Sequence, residues 1–101
     1  MELIEKIYEL CEKYNGEIEY EIEDAPITAT FYYDMRGEFK NEMLITFSIN
    51  STMNEFIDEL YKLYDKYNHT DNEFQYNENY GEESGCEKDR VWIWTDIERG
   101  E

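Results

Sequence analysis

Apolar residues return every three or four positions over residues 2–14, at Leu3, Ile7, Leu10, Cys11 and Tyr14, the spacing of one face of an α-helix. Asn15 and Gly16 follow, two residue types that end helices readily because they tolerate a left-handed backbone. The period then changes. Over residues 17–23, Ile18, Tyr20 and Ile22 alternate with Glu17, Glu19, Glu21 and Glu23, which predicts a strand with one apolar and one acidic face. Asp24, Ala25 and Pro26 interrupt it, and residues 27–33 resume an extended pattern expected to pair with the first strand as a hairpin. Arg36 and Gly37 read as a turn. Met43, Ile45, Phe47 and Ile49 then alternate with Leu44, Thr46 and Ser48, giving a third strand.

Thr52 followed three residues later by Glu55 has the form of a capping box and opens a second helical run to about residue 68, with Met53, Phe56, Ile57, Leu60, Tyr64 and Tyr67 on one face. Residues 74–80 and 90–97 read as a second hairpin across a charged, glycine-bearing loop. The last strand is apolar on both sides, with Val91 and Ile93 one way and Trp92 and Trp94 the other. One side is expected in the core, the other as exposed aromatic surface.

The order αβββαββ in a chain of 101 residues predicts a single α+β domain. The expected architecture is a two-layer sandwich, a mainly antiparallel sheet of four to five strands with two helices on one face. On that reading Ile18, Tyr20, Ile22, Phe31, Phe47, Ile49, Phe56, Leu60 and Val91 form the core. Glu17, Glu19, Glu21 and Glu23 then lie exposed on the open face, with Thr28, Thr30, Tyr32, Thr46 and Ser48.

Charge changes the picture. Twenty-six acidic residues against nine Lys and Arg give a formal net charge of −17, whereas a small domain ordinarily carries a magnitude of about 2 to 8. Such an excess costs stability by self-repulsion and opposes direct binding to nucleic acid or to an anionic membrane, so the partner it suits is a basic protein surface. The 41% hydrophobic and 17% aromatic content counts against disorder. No apolar stretch approaches the roughly 20 residues of a membrane span, and Glu2 and Glu5 break the layout of a signal peptide, which predicts a cytoplasmic protein. Cys11 on a helix face and Cys86 in a polar loop read as unpaired thiols.

Candidate chemistry is sparse. The chain has no glycine-rich phosphate loop, no nucleophile elbow, no zincin motif and no Cys-x-x-Cys pair. His69 stands alone at a helix end, without an identifiable nucleophile or orienting group. Residues 77–88 fit an EF-hand loop at Asn77 and Asn79 but place Glu82 where glycine is needed and Lys88 where the bidentate glutamate belongs. No catalytic residue, metal site or cofactor is expected, and the chain reads as a binder.

The glutamates of residues 17–23 form the most specific pattern. Side chains on one strand face repeat about every 6.7 Å, a charge line comparable with one phosphate per about 3.4 Å on a DNA strand. Glu2, Glu5, Glu9 and Glu12 add a helical stripe, and Glu82, Glu83, Glu87 and Asp89 an acidic loop. The competing reading is a solvated face that deters edge pairing. Tyr32, Trp92 and Trp94 are candidate anchors, since aromatic residues dominate contact hot spots, although tryptophans in so small a domain also serve as core.

In size, charge and element order the whole chain resembles phage-encoded inhibitors of bacterial defence, notably anti-CRISPR proteins that mimic nucleic acid. Secondarily it resembles small acidic immunity proteins that neutralise toxin nucleases. The resemblance implies stoichiometric inhibition in the cytoplasm of a bacterial host, with the acidic face seated in the basic nucleic-acid channel of an effector nuclease. The partner-binding residues expected on that basis are Glu17, Glu19, Glu21, Glu23, Tyr32, Trp92 and Trp94.

Overall fold

The first helical pattern forms α1 (Leu3–Lys13) in the computed structural model, which describes residues 3–23, 27–30, 36–48, 50–67, 74–79, 81 and 88–96. The helix buries Leu3, Ile4, Ile7 and Cys11. It closes with a Schellman arrangement: Asn15 takes a φ of 58°, the Gly16 N–H donates to the Cys11 carbonyl at 2.8 Å and the Asn15 N–H to the Glu12 carbonyl at 3.4 Å. Position 16 has to be glycine because of space, since a Cβ there would stand 2.8 Å from Ile45 Cγ2 and from the Phe47 ring.

The remaining elements are β1 (Glu17–Ile22), β2 (Ile27–Thr30), β3 (Arg36–Phe39), β4 (Asn41–Phe47), α2 (Asn50–Tyr67), β5 (Phe74–Asn79) and β6 (Asp89–Thr95). The protein is therefore α+β, with a four-stranded antiparallel sheet in the order β1-β4-β6-β5 and a separate antiparallel pair, β2-β3. The pairing of β5 with β6 is the one expected. Three expectations are corrected. The segment at residues 36 and 37, read as a turn, belongs to β3, so the element order gains a strand. The hairpin expected between the first two strands does not form, because β1 pairs with β4 and β2 with β3. Thr52 lies inside the first turn of α2 and not at its cap, the helix starting at Asn50.

Burial explains the strand order. The side chains of β4 are buried in six of seven positions, Glu42 alone being half-buried, as a central strand requires. β1 carries three glutamates in six residues and can solvate them only at an edge. Both helices pack on one face of the sheet, where Ile7, Met43, Ile45, Phe47, Met53, Phe56, Leu60, Phe74, Val91 and Ile93 make the principal core. The rings of Phe47 and Phe56 meet at 5.0 Å. A smaller cluster of Phe39, Trp94, Ile27 and Trp92 lies on the opposite face, where the β2-β3 pair folds over the sheet. A bend at Lys40 joins β3 to β4, with the Lys40 N–H donating to Asp96 Oδ1 at 2.7 Å. Thr46, expected on an open face, is buried, as is Leu44. Phe31 and Ile49, expected in the core, lie outside the described residues.

Cys11 is buried and its thiol donates to the Gly16 carbonyl at 3.0 Å. Burial, reinforced by the charge of Glu21, pushes its pKa up from 9.0 to about 11. Alkylation proceeds through the thiolate, so at pH 8 Cys11 should react at least about a hundredfold more slowly in the native protein than in denaturant, read site by site by peptide mass spectrometry. Native reaction at the denatured rate would contradict the burial of this helix face. Cys86 lies outside the described residues.

Candidate protein-interaction surface

The alternation of residues 17–23 is unbroken in sequence but broken in space. Ile18 pairs with Ile45, and Tyr20 with the very next residue back along β4, Leu44. Glu19 is therefore the extra residue of a β-bulge, and everything after it changes face. Ile18 packs against the helix-side core, as expected. Tyr20 and Ile22, expected beside it, stand opposite Leu44 and Glu42 on the far face and are 37% and 38% exposed. Glu21, expected in the solvated row, stands opposite Met43 on the helix side, half-buried, and accepts a hydrogen bond from the Tyr8 hydroxyl of α1. The bulge thus exchanges a carboxylate for two large apolar side chains at the surface. Glu17, Glu19 and Glu23 remain exposed.

The ladder continues the outward face across the sheet: Tyr20, Leu44 and Trp92 stand in one row, and Ile22, Glu42 and Trp94 in the next. Tyr20 and Trp92 meet edge to face, ring centroids 5.9 Å apart at 71°, flanking a Leu44 that is only 3% exposed. Trp92 and Trp94 are nearly parallel, 10° between planes and 6.1 Å between centroids. Trp94 is 6% exposed, lies against Phe39 and donates its indole N–H to Glu42 Oε1 at 2.9 Å. It is a core residue of the smaller cluster, and Trp92 is half-buried at the border of that cluster and the surface. The Tyr20 phenol has its pKa raised, first by burial and then by the charge of Glu42, a hydrogen bond to it and the charge of Glu19. It stays neutral at physiological pH.

Of the seven residues singled out in the sequence, Glu17, Glu19 and Glu23 flank this surface, Trp92 forms part of it, Trp94 lies beneath the covering hairpin and Glu21 turns to the helix side. Tyr32 is outside the described residues, as are His69, Glu2, Glu82, Glu83 and Glu87. Asp89 accepts the Gly81 N–H at 2.6 Å. Sequence reasoning missed Tyr20, Ile22 and Glu42. The available signal was the two-sided apolar pattern of the last strand, Val91 and Ile93 one way and Trp92 and Trp94 the other, which calls for apolar groups from a neighbouring strand on the tryptophan face too.

The helix side has a different electrostatic character. Glu5, Glu9 and Glu12 are exposed on α1, but the open groove of about 360 Å³ between the helices mixes Lys6, Lys13 and Lys62 with Glu9 and Glu59. Lys62 lies 3.8 Å from Glu59, and Lys6 and Lys13 lie over the rings of Tyr67 and Tyr14. Charge there is largely compensated, whereas the three exposed glutamates of the β1 edge stand beside apolar groups. Among the described residues no three His, Cys, Asp or Glu side chains gather in a group that could hold a metal ion, and no helix is long and apolar enough to cross a membrane.

No protein-family model, curated protein or solved structure matches this chain.

Proposed function

We propose that this protein is a stoichiometric inhibitor that sets the β1 edge against the basic nucleic-acid channel of an effector nuclease, as an anti-defence protein would. It performs no catalysis in this reading. The observation that carries it is the Glu19 bulge, which puts Tyr20 and Ile22 at the surface beside Trp92 and between exposed glutamates. A purely solubilising edge would keep its apolar side chains turned inward, since exposing them costs roughly 25 cal/mol per Å². An exposed aromatic group with an acidic border has the composition of a contact site: a desolvated anchor supplies affinity and the surrounding charge supplies steering. Glu5, Glu9 and Glu12, exposed on α1 at the helix side of the sheet, are outside this contact and add long-range attraction.

The experiment begins with capture of the target from the source organism and compares binding to the target empty and preloaded with its nucleic acid. Preloading should weaken binding at least tenfold, because both ligands need one groove. Equal binding to both forms would reject the channel-blocking reading and put the contact elsewhere on the target.

A further inference from the structure

The surface around Tyr20 offers two features at once, and they select one kind of cation. Tyr20 and Trp92 meet at 71°, so their planes form a corner, and Tyr20 keeps 37% of its surface open. Carboxylates lie close by: Glu19 precedes Tyr20 and its charge is felt at the phenol, as is that of Glu42, and Glu17 stands one row along on the same face, opposite Thr46. A ring face attracts any cation, but a flat, weakly hydrated guanidinium can stack on the ring while its edge forks onto a carboxylate. A lysine ammonium is a compact, strongly hydrated point charge and has to give up more water to do the first of these.

Resting on the reading of this face as the contact surface, we propose that the Tyr20–Trp92 corner is an arginine-binding site, and that its occupant is an arginine-bearing basic segment of the partner. The charge complementarity is local as well as global. Exposed carboxylates flank Tyr20 along the chain, Glu17 and Glu19 in β1 and Glu23 just after it, and the formal net charge is −17. Among the described residues, the cation that the ladder places on this face of the four-stranded sheet is Arg90, opposite Thr46 in the row of Glu17. It stands one row away from the Tyr20 corner, toward the start of β1, next to Trp92 on the same face of β6. The other end of the face is taken by the Phe39–Trp94 contact, so the corner is bounded on both sides.

The probes are two nine-residue peptides, oligo-arginine and oligo-lysine, titrated at about 0.15 M salt with indole fluorescence and backbone amide shifts as readouts. Oligo-arginine should bind about tenfold more tightly, with shifts centred on residues 17–22, 42–44 and 92. Tyr20→Leu keeps an apolar side chain at this exposed position and should reduce the ratio to near one while weak, salt-sensitive binding of both peptides survives. Tyr20→Phe keeps the ring and should retain the preference. Equal affinities for the two peptides in the unaltered protein would overturn the assignment, as would a preference unchanged by Tyr20→Leu, which would locate the selectivity in carboxylates at large. These outcomes are separable from the channel-blocking test. A target that binds equally well empty and loaded leaves the arginine preference standing, and loss of the preference leaves competition with nucleic acid to be judged on its own.

Discussion

Replacing Phe56 by alanine should lower the free energy of unfolding by about 3 to 5 kcal/mol, the range for removal of a fully buried aromatic ring from a core. Phe56 has no exposed surface, and its ring lies 5.0 Å from that of Phe47, which is also buried. This contact joins α2 to the central strand β4. The loss is large against the 5 to 15 kcal/mol of an ordinary domain, and here the margin is reduced further by the mutual repulsion behind a formal net charge of −17. The variant should therefore be partly unfolded at low ionic strength and regain structure as salt screens the charges. Urea titrations followed by far-ultraviolet circular dichroism, run at two salt concentrations, check both parts. A loss under 1 kcal/mol would mean that the helix layer is not packed on β4 as described.

The helices, the pairing of the last two strands and the α+β class are legible in the sequence, because each rests on a local period or a local turn. Leu3, Ile7 and Cys11 repeat at helical spacing and are buried together, with Asn15 and Gly16 ending the helix as their residue types suggest. What is not local is not legible. An unbroken alternation of Ile18, Tyr20 and Ile22 with glutamates is compatible with any register, and a bulge is a property of two strands. It appears only when Ile18 is matched to Ile45 and Tyr20 to Leu44. The same holds for β2 and β3, whose pairing places a small sheet over Trp94, and for Thr46, which alternation alone assigns to solvent and which is buried. The candidate site inherits both limits: its carboxylates are visible as a row in the sequence, whereas its apolar members look like core until the bulge is known.

Reversing Glu17 and Glu19 together to lysine should slow association with the target by about ten to a hundredfold at low salt, within the range that electrostatic steering contributes. The control is a second double reversal, Asp58→Lys with Asp65→Lys. Both residues are exposed on α2, which lies against the other face of the sheet, and the change in formal charge is the same. If attraction depended on net charge alone, the two double variants would be impaired equally. If the β1 edge makes the contact, the helix variant should retain most of its association rate and all of its dissociation rate, while the edge variant also dissociates faster through repulsion within the complex. Raising the salt to about 1 M, where the screening length falls to about 3 Å, should bring the association rates of the two variants together and leave a residual difference in dissociation. Stopped-flow association over a series of salt concentrations measures this. Equal impairment of both variants at every salt concentration would assign the binding to diffuse charge and remove β1 as the contact.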